Sequence, residues 1–193
     1  MKAVCVYCGS SAGTGAKYRE AARTLGRTLV RQGLELVYGG ARVGLMGELA
    51  DAVLASGGRV TGVIPEAFAA RVAHGGLTGL EIVGGMHERK QRMFDLSDAF
   101  IALPGGFGTL EELTELLTWG QLDFHRKPCG LLNVSGFYDP LLAFLDHAVR
   151  EGFIKAAHRR MLFASEDSEA LLRHFGSYDA PKTDKWYNRP IDP

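Results

Sequence analysis

Ala99-Phe100-Ile101-Ala102-Leu103-Pro104-Gly105-Gly106-Phe107-Gly108-Thr109-Leu110-Glu111-Glu112 is the stretch that decides the fold. Its first five residues form an unbroken apolar run, the pattern of a strand buried on both faces. Leu110 to Leu122 then carries the pattern of a helix. Gly105, Gly106, Gly108 and Thr109 stand at the junction. Backbone N–H groups there project outward with no side chains in the way. The first helical turn adds its own unpaired N–H groups and the positive end of its dipole. This is the physics of an anion seat, most simply for a phosphate. Glu111 and Glu112 put two carboxylates beside it. The plain reading of both is charge matching to the helix N-terminus. The functional reading makes Glu112 an acid or base, because it lies one helical turn beyond Thr109.

The same alternation runs outward in both directions. Strands are predicted over Ala3–Tyr7, Leu34–Tyr38, Arg59–Ile64, Leu80–Val83, Pro128–Leu132 and Met161–Ala164, besides the one above. Helices are predicted over Tyr18–Arg31, Leu45–Ala55, Met86 to about Ser97, Leu110–Leu122, Phe137–Arg150 and Glu169–Phe175, with a short one somewhere in Glu66–Gly79. Strand and helix at this short period imply an α/β fold, a doubly wound, mostly parallel, Rossmann-like sheet with helices on both faces. The chain has 193 residues and is 46% apolar, which suits one domain, expected over 1–177. Residues 178–193 hold three prolines and few apolar anchors apart from Trp186 and Tyr187, and read as a surface or mobile tail.

Composition excludes several classes. Lysine plus arginine equals aspartate plus glutamate at 22 each, so no nucleic-acid or anionic-membrane partner is expected. No apolar run is long enough to span a membrane and no leading segment has signal-peptide form, so a cytoplasmic protein is expected. Cys5 and Cys8 have the gap of a redox or zinc pair, but no second pair completes it, and buried thiols are the better reading. The six histidines are scattered and no cluster has metal-ligand spacing.

Ligands of an open parallel sheet bind outside the carboxyl ends of the strands. There the sequence places Gly9-Ser10-Ser11, Gly39-Gly40, Pro65-Glu66, Gly84-Gly85-Met86-His87-Glu88-Arg89-Lys90 and the central motif. A dinucleotide fingerprint is missing, because the residues after Gly13-Thr14-Gly15 lack its third glycine and no acid closes the second strand. A P-loop is missing too. A mononucleotide or sugar phosphate is the natural remaining ligand. Arg89 offers a planar fork of donors for phosphate or carboxylate, and Glu88 with Arg92 forms an i,i+4 pair of opposite charge.

Pro104 to Glu112 reads as P-G-G-x-G-T-x-x-E, and Met86 to Lys90 as M-H-x-R-K. Together these resemble the LONELY GUY (LOG) family of cytokinin-activating phosphoribohydrolases, many of whose members carry the label possible lysine decarboxylase. The likeness extends over roughly residues 3–175, with Cys8-Gly9-Ser10-Ser11, the Gly39–Gly47 turn and Gly136-Phe137-Tyr138-Asp139 in matching places. Ala41 departs from a glycine common in the second turn. The resemblance implies hydrolysis of the N-glycosidic bond of an N6-modified adenosine monophosphate, giving the free base and ribose 5-phosphate. It implies Glu112 and Arg89 as the catalytic pair, and Gly105, Gly106, Gly108 and Thr109 as holders of the 5'-phosphate. Ser10, Met86, Lys90 and Glu66 are further candidates for substrate contact. It implies no metal, no pyridoxal phosphate, a small-molecule nucleoside 5'-monophosphate as ligand, and a homodimer. A nucleotide hydrolase of different base preference and a non-enzymatic nucleotide binder are the alternatives. Lys90 is a possible Schiff-base lysine for a decarboxylase, but nothing else in the sequence supports that cofactor.

Overall fold

The computed structural model describes residues 1–181. The chain runs β1 (Ala3–Tyr7), α1 (Ala16–Arg31), β2 (Glu35–Tyr38), α2 (Gly44–Ala55), β3 (Val60–Pro65), α3 (Glu66–Val72), β4 (Gly79–Val83) and α4 (Met86–Asp95). It continues through β5 (Ala99–Ala102), α5 (Phe107–Gln121), β6 (Cys129–Leu132), a 3-10 turn at Val134–Gly136, α6 (Asp139–Arg150), α7 (Ala156–Arg159), β7 (Leu162–Ser165) and α8 (Ser168–Gly176). The strands form one sheet in the order β4-β3-β2-β1-β5-β6-β7. Every adjacent pair is parallel. The expected Rossmann-like α/β architecture is therefore the observed one.

β1 shows why the central strands read as continuous apolar runs. All five of its residues are buried. Val4 and Val6 enter one core layer with Leu25 and Leu29 of α1, Leu49 and Val53 of α2, and Leu171 and Phe175 of α8. Ala3, Cys5 and Tyr7 face the other way, onto Met93 of α4 and Leu116 of α5. A third cluster continues that second face, packing Leu113 of α5 and Leu141 and Leu145 of α6 against Leu131 and Leu162. Each fully buried leucine in these layers contributes about 1.5–3 kcal/mol over an exposed one. Cys5, Cys8 and Cys129 are buried free thiols, and burial raises all three well above the ordinary range, so they pack rather than react.

Two expectations are corrected. The central helix begins at Phe107, not Leu110, so Gly108 and Thr109 belong to its first turn. With no side chain at Gly108, the first-turn N–H groups, which have no intrahelical partner, stand open to solvent. The Glu88–Arg92 pair does not form. Arg92 instead forks onto Glu81 of β4 at 2.5 and 3.0 Å, and Glu88 accepts from the Gly84 N–H at 2.8 Å. A bidentate partner on the preceding strand outcompetes an i,i+4 neighbour. Trp186 and Tyr187 lie outside the described residues.

Candidate active site

The sheet places β1 between β2 and β5, and the chain reverses its direction of travel across the sheet there. At the carboxyl ends of these strands three turns lock together. The Gly9 N–H donates to the Pro104 carbonyl at 3.1 Å, and the Leu45 N–H donates to the Gly9 carbonyl at 3.0 Å. Gly44 has φ +60°, and a Cβ there would lie 2.3 Å from the Ser10 carbonyl carbon. Only glycine permits that approach of the second turn to the first. Ala41, where a glycine was the expected residue, is buried and bridges to Ala73 with no left-handed backbone.

The phosphate-seat candidates gather at this junction. A Cβ on Gly105 would lie 2.1 Å from the Thr109 hydroxyl oxygen and 3.0 Å from the Gly9 nitrogen, so the motif's first glycine lets the buried Thr109 close over it. Gly106 is the N-cap residue of α5 and offers no side chain to the helix start. Gly106 and Gly108 are exposed with open space where a Cβ would be. The result is a helix N-terminus facing solvent across glycine backbone, suited to an anion. A cavity of about 260 Å³ adjoins it, lined by Ser10, Ser11, Tyr18, Leu45, Pro104, Gly105, Gly106 and Phe137 among others. Beneath, the buried Tyr138 hydroxyl donates to the Leu103 carbonyl at 2.6 Å, fixing the strand end from which the motif departs.

Arg89 and Glu112, the residues that the resemblance implies as a catalytic pair, are in contact. Arg89 Nη1 donates to Glu112 Oε1 at 2.6 Å, and Arg89 Nε donates to the Val63 carbonyl at 3.1 Å. The two side chains are 11% and 9% exposed. Gly39, at the end of β2, makes room for the guanidinium, since a Cβ there would sit 2.1 Å from Nη2. Burial raises the Glu112 carboxyl above its ordinary range, and the charge and hydrogen bond of Arg89 only partly offset this. The site thus holds a desolvated carboxylate, aimed by an arginine, one helical turn from the glycine-lined start of α5.

The remaining candidates are placed differently. Ser10 is exposed on the cavity. Met86 and Glu66 are exposed at the first positions of α4 and α3, beside the same edge of the sheet. Lys90 is 7% exposed and is held by Glu111 and by Glu115, the latter at 3.0 Å. Sequence reasoning read Glu111 as a first-turn charge; Glu115 lies one turn further along α5. Both in fact accept from Lys90. The roles of Gly39, the Val63 carbonyl and Tyr138 were also missed. Gly39-Gly40 and the Gly136–Asp139 segment were noticed, but a single sequence does not say what a glycine makes room for. Among the described residues no group of three or more His, Cys, Asp or Glu side chains could hold a metal ion. Nor is any described helix long and apolar enough to cross a membrane.

Comparison with known proteins sharpens this. Residues 46–175 match the family described as possible lysine decarboxylase. A cytokinin riboside 5'-monophosphate phosphoribohydrolase of Rhodococcoides fascians is 54% identical over 173 residues, covering 89% of this chain and 87% of that protein. The rice cytokinin riboside 5'-monophosphate phosphoribohydrolase LOG is 51% identical, covering 92% of this chain and 74% of its own length. Among solved structures, a molybdenum cofactor binding protein of Rippkaea orientalis superposes with a TM-score of 0.70 at 20% identity, covering 91% of this chain and 96% of the other, a likeness of fold. With half its residues shared along most of its length, and the paired motifs meeting in space, the chain belongs to the LONELY GUY family of cytokinin riboside 5'-monophosphate phosphoribohydrolases.

Proposed function

We propose that the protein hydrolyses the N-glycosidic bond of an N6-modified adenosine 5'-monophosphate, releasing the free cytokinin base and ribose 5-phosphate. The observation that carries this is the buried Arg89–Glu112 pair standing one helical turn from the glycine-lined start of α5. The 5'-phosphate binds at Gly105, Gly106, Gly108 and Thr109 through backbone N–H groups and the helix dipole. Breaking the ribosyl C–N bond builds positive charge on the ribose and negative charge on the departing base. The Glu112 carboxylate answers the first charge and orients or deprotonates the attacking water. Arg89 aims Glu112 and supplies positive charge to the substrate; a guanidinium does not serve as base. Ser10 lines the approach, with Met86 and Glu66 at the rim.

Decarboxylation through pyridoxal phosphate is disfavoured by Lys90 itself. A Schiff-base lysine needs a neutral amine. Burial depresses the Lys90 ammonium, but the hydrogen bonds and charges of Glu111 and Glu115 outweigh burial and leave it raised. The protein acts as a homodimer in the cytoplasm, the first from the family resemblance, the second in keeping with three buried free thiols.

The test is product analysis after incubation with isopentenyl-AMP, AMP, other nucleoside monophosphates and the matching nucleosides. Base and ribose 5-phosphate should appear from the N6-modified monophosphate far faster than from its nucleoside. Equal rates on the two would remove the phosphate seat. Preference for plain AMP would keep the seat and the pair and reassign the base.

A further inference from the structure

Two cations on α4, Arg89 and Lys90, face three carboxylates on α5, Glu111, Glu112 and Glu115. With the helices side by side, several pairings are electrostatically open. The one observed is selective. Arg89 takes Glu112, while Lys90 takes Glu111 and Glu115. The Lys90 side chain is only 8% exposed, although Glu111 is 54% exposed, so the lysine reaches out from a buried stem to gather two carboxylates. We propose that Lys90 is a positioning residue for the Arg89–Glu112 pair: by holding Glu111 and Glu115 it fixes how α4 and α5 are rotated against each other, and leaves Glu112 as the carboxylate that faces Arg89. This assigns Lys90 a role behind the reacting groups rather than in contact with substrate. It rests on the proposed hydrolase reading for its kinetic consequence, but not for its electrostatic one.

The charges around Glu112 make the idea measurable. From α4 it is faced by Arg89 and Lys90, which favour its carboxylate, and from α5 by Glu111, which opposes it. From β1 and the residue that follows it, it is faced by Cys5, Tyr7 and Cys8, whose own ionisation burial suppresses. Removing the Lys90 charge deletes one favourable neighbour and releases Glu111 and Glu115 from compensation. The Glu112 carboxyl must then titrate at higher pH.

The experiment compares the wild type, Lys90→Met, Lys90→Arg and the triple variant Lys90→Met/Glu111→Gln/Glu115→Gln. Glu112 is titrated by carboxyl ¹³C NMR in the free protein, its signal assigned by loss in Glu112→Gln. The midpoint should move up in Lys90→Met, stay at the wild-type value in Lys90→Arg, and fall back in the triple variant. Hydrolysis of isopentenyl-AMP is followed in parallel. Lys90→Met should lower kcat by about tenfold or more, the usual consequence of a misaimed catalytic group, with KM changed by less than about threefold. An unmoved Glu112 midpoint, or a loss confined to KM, overturns the proposal. If Lys90→Met does not fold, Lys90→Gln replaces it; its midpoint must rise relative to wild type, and an unmoved one counts against the proposal. If the wild type cleaves no monophosphate, the hydrolase reading falls, and an unmoved Glu112 midpoint in Lys90→Met still overturns the role given to Lys90.

Discussion

In the proposed mechanism Glu112 carries the chemistry, and its replacement is the sharpest single test. Glu112→Gln keeps the size and removes the charge; turnover should fall by about 10²–10⁴-fold while nucleotide affinity largely persists. Single-turnover cleavage, with binding measured separately, checks this. Glu111→Gln should lose far less, and a larger loss there would mean that the wrong carboxylate was assigned. The pH dependence follows from burial. Because the Glu112 carboxyl is raised, and catalysis uses its ionised form, kcat/KM should fall with acidification through a limb above the ordinary glutamate range. That limb should vanish in Glu112→Gln. Arg89 and Glu112 were legible in the sequence because two short motifs carry them. The pairing of Lys90 was not, since adjacent cations on one helix and adjacent anions on another leave the partners to be chosen by helix rotation.

At the scale of elements, the site depends on where β5 ends and α5 begins. Gly105→Ala would drive a methyl group to 2.1 Å from the Thr109 hydroxyl. Such overpacking costs about 1–3 kcal/mol, and it should weaken monophosphate binding, read by calorimetry, more than it weakens the fold. Tyr138→Phe removes the donor to the Leu103 carbonyl. Leaving that buried oxygen without this partner should cost about 1–3 kcal/mol and lower the thermal midpoint by several degrees. Most elements were legible from periodicity alone, to within a few residues at their ends. Where α5 starts was not, because glycines that look like a turn in sequence can equally occupy a helix's first turn. α7 and the 3-10 turn at Val134–Gly136 were missed because pieces of three or four residues carry no period.

Across the whole molecule, a parallel sheet with helices on both faces was legible from the strand–helix alternation. The order β4-β3-β2-β1-β5-β6-β7 was not, because neighbours are settled by crossover handedness and helix packing rather than by local pattern. The proposed homodimer belongs to this scale, and Phe124, 73% exposed beside Trp119 and Phe94, is an apolar position free to join such an interface. Light scattering at assay concentration should give twice the chain mass, and a fully active monomer would refute the dimer.

The strand order also carries a consequence for biogenesis. β1 pairs on one flank with β2, which follows it closely in the chain, and on the other with β5, which lies far later, where Val4 pairs with Ala99. A chain synthesised only as far as β4 lacks that second partner, and its apolar β1 then has one unpaired edge, the kind of feature prone to pair with a stranger. The turn that receives the anion motif belongs to that same unfinished seam. Acquisition of activity should therefore coincide with sealing of the seam during synthesis, and chains released before β5 should be both inactive and dependent on chaperones.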